Sequence, residues 1–281
     1  MGYKSILTVL ADETRAEAVF AAAADIAIAQ DAHLDALCLG IDRTQVGYSY
    51  VGAGAVMLQV SQDRAAEDVR AVEAAANRAA KAQPAGLRCS IESAVTMLGG
   101  TIDLVGSRAR FSDLVVLGQP YGEGRGPEEE AIVETALFEG LAPVLILPAN
   151  GRTAPRPKRI VLAWNQSREA MVAARRALPF LKAAEQVCIT VIDPPTHGPE
   201  RSDPGGALCQ MLARHGVVAE VSVLARTLPR VSEVLARQVR DRDADMLVMG
   251  AYGHSRFREA ILGGATRNML EQAEVPVLMA H

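Results

Sequence analysis

Three glycines near the end of the chain, Gly250, Gly253 and Gly263, have the spacing of a loop that could cradle a phosphate. The apolar run Met246 to Met249 predicts a buried strand ending at Gly250, and a helix-like segment follows Gly263. Glycines at a strand-to-helix turn let backbone N–H groups approach a ligand with no Cβ in the way. The helix N-terminus that follows adds free N–H groups and the positive end of its dipole. On spacing alone, a tight turn that binds nothing explains the same glycines. His254 and Arg256 are candidates for phosphate contacts and Tyr252 for the mouth of a pocket. Each also reads simply as a solvated loop side chain.

The stretch from Asp245 to Thr266 resembles the universal stress protein signature, G-x2-G-x9-G followed by Ser or Thr. Gly250, Gly253 and Gly263 match it in order and spacing. Gly264 stands where the family has the hydroxyl residue, and Thr266 matches a second hydroxyl that the family often carries. The resemblance implies an ATP-type site drawn from Met249, Gly250, Gly253, His254, Gly263, Gly264, Ala265 and Thr266. In this family the first strand ends in an Asp-containing loop facing the nucleotide. Here that loop reads Trp164-Asn165-Gln166-Ser167, so Asn165 replaces the acid. An amide can hydrogen-bond a ribose hydroxyl or an adenine edge but is a poor magnesium ligand. Asn165 equally reads as the neighbour of a helix N-cap near Ser167. Val191 and Ile192 correspond to the strand end that contacts adenine in the family, although any buried strand would look alike. Trp164 lies beside the same site, with core packing as its default role.

Catalytic constellations are missing from the sequence. It has no HExxH, Walker lysine, Rossmann GxGxxG or recognisable Ser-His-Asp set, and its histidines are His33, His197, His215, His254 and His281. A nucleotide-binding stress-response protein is therefore the first expectation, with ATP, alone or with magnesium, as the ligand. A scaffold of the same fold that recognises a partner or a small apolar ligand is the alternative. Slow ATP hydrolysis is the third reading.

The elements that would position this site repeat. Ser112–Gly118 mirrors Ala244–Gly250, Ala142–Pro148 mirrors Val275–Ala280, and Ser5–Leu10 mirrors Arg159–Trp164. A polar segment containing Pro and Gly, Ala149 to Pro157, separates the copies. We read a tandem duplication, with a degenerate domain at 1–150 and a glycine-loop domain at 156–281. Strands are predicted near 4–10, 33–40, 87–95, 113–118 and 143–148, with helices near 13–30, 60–82, 99–110 and 128–141. The second half predicts strands near 159–164, 187–192, 217–225, 245–250 and 275–280. Short apolar strands alternating with amphipathic helices define an α/β fold, here two doubly wound domains, each with a mainly parallel five-stranded sheet. The resemblance implies an adenine nucleotide alpha hydrolase-like arrangement. Doubly wound sheets bind ligands beyond the carboxyl ends of their strands, where the glycine loop and Asn165 both fall.

The first copy has lost the signature. Gln119-Pro120-Tyr121 follows Gly118, the third-glycine position falls near Ala131, and the family acid falls near Ala11. Glu128, Glu129 and Glu130 would repel a polyphosphate, or would open a helix stabilised by negative charge. No ATP site is expected there. The segment Val46–Gln59 reads as a long loop packed on its own domain, with a groove cover or an apolar ligand site as other readings.

Composition limits the partners. The net charge is −4 and no broad basic face recommends nucleic acid. No apolar run approaches the roughly 18 residues needed to cross a bilayer, and the N-terminus enters a strand without a signal-peptide pattern. The Met1-Gly2 start lacks the polybasic segment that would accompany myristoylation. Cys38, Cys89, Cys188 and Cys209 are scattered without a CxxC pair, which fits a reducing, cytoplasmic setting. The duplication implies that the halves pair as two single-domain subunits of the family would, with the strands at Pro143 and Pro276 as candidate contacts. A homodimer of the whole chain is a further option.

Overall fold

The computed structural model describes residues 2–43, 53–97, 99–122, 125–149, 153–194, 197, 200–251 and 264–281. In the first half, strands β1 (Ser5–Leu10), β2 (His33–Asp42), β3 (Arg88–Met97), β4 (Leu114–Gly118) and β5 (Val144–Leu147) alternate with helices. These are α1 (Glu13–Gln30), α2 (Ala53–Ala82), α3 (Gly100–Ala109) and α4 (Pro127–Phe138). The second half runs β6 (Arg159–Ala163), α5 (Arg168–Arg176), α6 (Leu178–Ala183), β7 (Gln186–Ile192), α7 (Gly206–Arg214), β8 (Ala219–Leu224) and α8 (Val231–Asp241). It ends with β9 (Met246–Gly250), α9 (Gly264–Gln272) and β10 (Val277–Ala280). The fold is α/β and its strand pairing mostly parallel.

The chain forms two compact units, one of residues 2–118 and 124–142, the other of residues 119–123 and 143–281. In the first, the strands lie in the order β3-β2-β1-β4. β1 is parallel to both β2 and β4, and β2 is parallel to β3. In the second the order is β5-β10-β9-β6-β7-β8, parallel from β10 through β8. β5 is the exception, running antiparallel to β10 with Val277 opposite Ile146.

Local chemistry explains why the elements begin and end where they do. Asp12 caps α1 by accepting the Thr14 N–H at 2.9 Å, and Asp31 closes the helix in the left-handed region at φ 54°. Alanines Ala16, Ala23, Ala24 and Ala27 line the buried stripe of α1 around Phe20. Their small side chains let the helix approach the sheet closely. Gly40 serves the same end on β2, because a Cβ there would lie 2.1 Å from the Ala65 carbonyl oxygen of α2.

The duplication is visible in matching polar contacts. Asp113, just before β4, accepts the backbone N–H groups of Lys4 and Ser5 at 2.7 and 3.1 Å. Asp245, just before β9, accepts those of Lys158 and Arg159 at 2.8 and 2.9 Å. In each copy one carboxylate thus fixes the start of the first strand beside the strand that leads to the glycine position.

One sequence expectation needs correction. Helix α2 starts at Ala53, so residues 53–59 of the segment read as loop are its first two turns. Gly54 sits inside that helix at a local cost of about 1 kcal/mol relative to Ala. The packing of Ala65, Val69, Val72, Ala75, Ala76 and Ala79 further along outweighs such a cost. The rest of the segment, residues 46–52, lies outside the described residues.

Candidate functional site

The carboxyl ends of β6 and β9 meet the first turn of α5. Beyond Ala163, Trp164 continues the ladder through its N–H to the Thr190 carbonyl of β7, at 2.9 Å. Asn165 is exposed, and its Oδ1 accepts the Ser167 N–H at 3.1 Å. This contact ties the Asn165 side chain to the entry of α5. Gln166 takes a left-handed φ of 62°, turning the chain, and Ser167 Oγ then caps α5 by accepting the Ala170 N–H at 3.1 Å. The turn is thus held by two short polar side chains, which satisfy the N–H groups of Ser167 and Ala170.

Gly250 closes the other side. A Cβ at this position would lie 2.5 Å from the Ala170 nitrogen and 2.7 Å from the Glu169 carbonyl carbon. Only glycine lets the end of β9 lie against the first turn of α5. Met249 before it is buried, and Ala251 after it is fully buried, with its N–H on the Ala280 carbonyl at 2.9 Å. Val191 is buried and Ile192 partly so at the end of β7. The structure therefore brings Trp164, Asn165, Met249 and Gly250 to adjacent strand ends, with Val191 and Ile192 on the neighbouring strand.

Gly253, His254 and Gly263, with Tyr252 and Arg256, lie outside the described residues, as does the side chain of Ala265. Gly264 begins α9, and a Cβ built on it would meet none of the described residues within 4 Å. Thr266, in the first turn, is buried. Among the described residues no group of three or more His, Cys, Asp or Glu could hold a metal ion.

One residue at the site, Glu200, was not singled out from sequence. Glu200 accepts the Trp164 indole N–H at 3.0 Å and the Gly205 N–H at 3.2 Å, fastening the only tryptophan to the start of α7. Nothing local announces an acceptor 36 residues away. Ser167 was readable as a helix start, because Glu169 and an alanine-rich run follow it.

The corresponding crevice of the first copy is occupied by its own charges. Asp12 accepts from Arg15 Nε at 2.6 Å, and Arg15 Nη2 reaches Glu129 on α4 at 3.0 Å. Arg43 donates from Nε and Nη2 to the two carboxylate oxygens of Glu128. Val9, Ala11, Val19, Leu117 and Ile132 are among the apolar residues that line it with Asp12, Arg15 and Glu129. The acids at 128–130 thus form the first turn of α4, and two of them are neutralised locally rather than left to repel. Burial pushes the Asp12 carboxyl up, but hydrogen bonds from Thr14 and Arg15 outweigh it and hold its pKa below the ordinary value.

A doubly wound α/β unit whose strand ends carry a glycine turn is a class of ligand-binding fold. Within that class, residues 157–281 match the family model described as Universal stress protein family. The C-terminal region of the chain is a universal stress protein domain. A universal stress protein from Synechocystis sp. is 25% identical over 177 residues, which span 59% of this chain and 57% of that protein. The chain therefore matches little more than half the length of that relative. A universal stress protein from Archaeoglobus fulgidus has the same fold at a TM-score of 0.68 and 14% identity, covering 98% of this chain and 96% of that one. A functionally unknown protein from Pseudomonas aeruginosa follows at a TM-score of 0.54 and 14% identity, over 99% and 92% of the two chains.

Proposed function

We propose that the C-terminal domain binds an adenine nucleotide of the ATP type at the carboxyl ends of β6, β7 and β9. The carrying observation is the N-terminus of α9. It opens with Gly264, where a Cβ would meet no described residue within 4 Å, and it follows the strand that ends at Gly250. The first N–H groups of a helix have no intrahelical acceptor, and at this terminus, with Gly253 and Gly263 preceding it in sequence, they suit a polyphosphate. The Asn165 amide oxygen is engaged by Ser167, so the NH2 group is its remaining face for a ribose or adenine acceptor. Val191 and Ile192 would lie beneath the base, and Trp164 would pack behind the site.

The domain at 1–150 is read as a degenerate copy without a nucleotide, supported by the Asp12–Arg15–Glu129 pairing in its crevice. The last strands of the two sequence halves pair in the same reading, in keeping with the antiparallel β5–β10 register. A stress-response role in the cytoplasm accords with four free cysteines. Burial and the nearby Glu73 carboxylate push the Cys38 thiol up to about 12, which argues against thiol chemistry there.

Calorimetric titration of nucleotide-stripped protein with ATP, with and without magnesium, tests the proposal. One site per chain at micromolar affinity, lost in Gly253→Val and weakened in Thr266→Ala, is expected. Absence of heat at millimolar ATP overturns it. A second reading, a scaffold of the same fold without nucleotide, is favoured by Asn165 and Gly264, which stand where the family has an acid and a hydroxyl. Slow ATP hydrolysis is a third, checked by phosphate release in the same preparation.

A further inference from the structure

The segment after β4 has exchanged its glycine for side chains that grip α9. The Gln119 N–H binds the Leu147 carbonyl at 2.9 Å, just as the Ala251 N–H binds the Ala280 carbonyl, so Gln119 is the structural counterpart of Ala251. Its side chain is buried and its amide nitrogen donates to the carbonyls of Leu270 and Glu271, at 2.5 and 3.0 Å. Its amide oxygen accepts the Ala149 N–H at 3.1 Å. Two residues on, the buried Tyr121 ring lies 5.0 Å from the Arg267 guanidinium, and Arg267 Nε also reaches Glu271 at 3.0 Å. Residues 119–123 and α9 belong to one compact unit.

The last carbonyls of a helix have no intrahelical donor, and a buried helix end requires one from elsewhere. Gln119 supplies it for α9. Leu270 is six residues from Gly264, about 9 Å along a helix, so the two ends of α9 move as one rigid element. Fixing the carbonyl end and the Arg267 face therefore fixes where Gly264 and Thr266 present their N–H groups.

We propose that Gln119 and Tyr121 are positioning residues for the nucleotide site. The segment that lost the phosphate-binding signature in the first copy now orients the phosphate-binding helix of the second. This rests on the nucleotide reading above, and the test separates the two. Amide hydrogen exchange over residues 264–272 is measured on nucleotide-free protein, and ATP affinity by calorimetry, for wild type, Gln119→Leu, Gln119→Glu, Tyr121→Ala and the distant Arg88→Ala.

Gln119→Leu is expected to speed exchange in the last turns of α9 and to weaken ATP binding about tenfold. Tyr121→Ala acts in the same direction, and Arg88→Ala leaves both readouts unchanged. Gln119→Glu places an acceptor against two carbonyls at pH 8 and behaves like Gln119→Leu. At pH 5 its protonated carboxyl can donate, and protection relative to wild type returns. That pH-dependent rescue carries the test if Gln119→Leu fails to fold. Unchanged α9 protection in Gln119→Leu, or no recovery at low pH in Gln119→Glu, overturns the proposal. If wild type takes no ATP yet α9 loosens in the variants, the nucleotide reading falls and the clamp stands. If wild type takes ATP and the variants match it in both readouts, the clamp falls and the nucleotide reading stands.

Discussion

The backbone of Gly250 lies so close to Ala170 that a Cβ on the glycine would come within 2.5 Å of the Ala170 nitrogen. The glycine that opens the signature loop is therefore required by packing between β9 and α5, whatever the loop binds. Gly250→Ala should destabilise the protein by about 1–3 kcal/mol through overpacking against backbone that cannot yield. Urea unfolding of nucleotide-free protein measures this. An unchanged midpoint would mean that α5 shifts freely and that the glycine serves the ligand alone.

Gly264 presents the opposite case. Among the described residues nothing would crowd a side chain there, and the glycine has no left-handed φ to satisfy. Gly264→Ser restores the hydroxyl that the family signature places after the third glycine. It should tighten ATP binding severalfold, the effect of one added hydrogen bond of about 0.5–1.5 kcal/mol, without loss of thermal stability. Calorimetry with both proteins decides it, and unchanged binding would show that the phosphates do not pass this position.

The buried Trp164 and the half-buried Glu200 form a reporter pair. Glu200→Ala leaves the indole N–H of Trp164 without its acceptor at 3.0 Å and frees the Gly205 N–H. The expected cost is about 1–3 kcal/mol. Because Trp164 is the only tryptophan and is just 5% exposed, its emission should shift to the red as water reaches the ring. Unaltered emission together with unaltered stability would show that the contact contributes nothing.

Asp12 makes the acid limb of stability predictable in sign. Its folded-state pKa lies below the ordinary carboxyl value, so the unfolded chain takes up the proton first as pH falls. The stabilisation it supplies is complete above about pH 4 and disappears as pH drops through the lower, folded-state pKa. Asp12→Asn should therefore be less stable than wild type by a constant margin from pH 8 to pH 5. That margin should shrink below about pH 4, as read by urea unfolding at each pH. A margin independent of pH down to 2 would assign the loss to capping geometry rather than charge.

Much of this architecture could be read from residue patterns, because buried parallel strands are short apolar runs and the two copies repeat them. Ser112–Gly118 and Ala244–Gly250 announced β4 and β9 to within two residues. The start of α2 was hidden because Gly52 and Gly54 beside Tyr48 and Tyr50 look like loop chemistry, whereas packing further along carries the helix through Gly54. At the site, glycine spacing identified Gly250 but not its neighbour, since Ala170 is distant in sequence and bears no polar group. The capping roles of Glu200 and Gln119 were equally invisible. Their partners lie 36 and 151 residues away, and a side chain that caps a remote element leaves no local periodicity.

The antiparallel register of β5 with β10 has a consequence for anyone who would dissect the chain. Severing it near residue 150 takes β5 away from Val277, Leu278 and Met279, the residues it pairs. The excised C-terminal fragment would then present a bare, uncharged strand edge, and it would also lack Gln119 behind α9. Such an edge seeks another of its kind. Freed from β5, two fragments are expected to zip together through their β10 strands, so that sedimentation finds a dimer and the missing strand is replaced by a copy of its former partner.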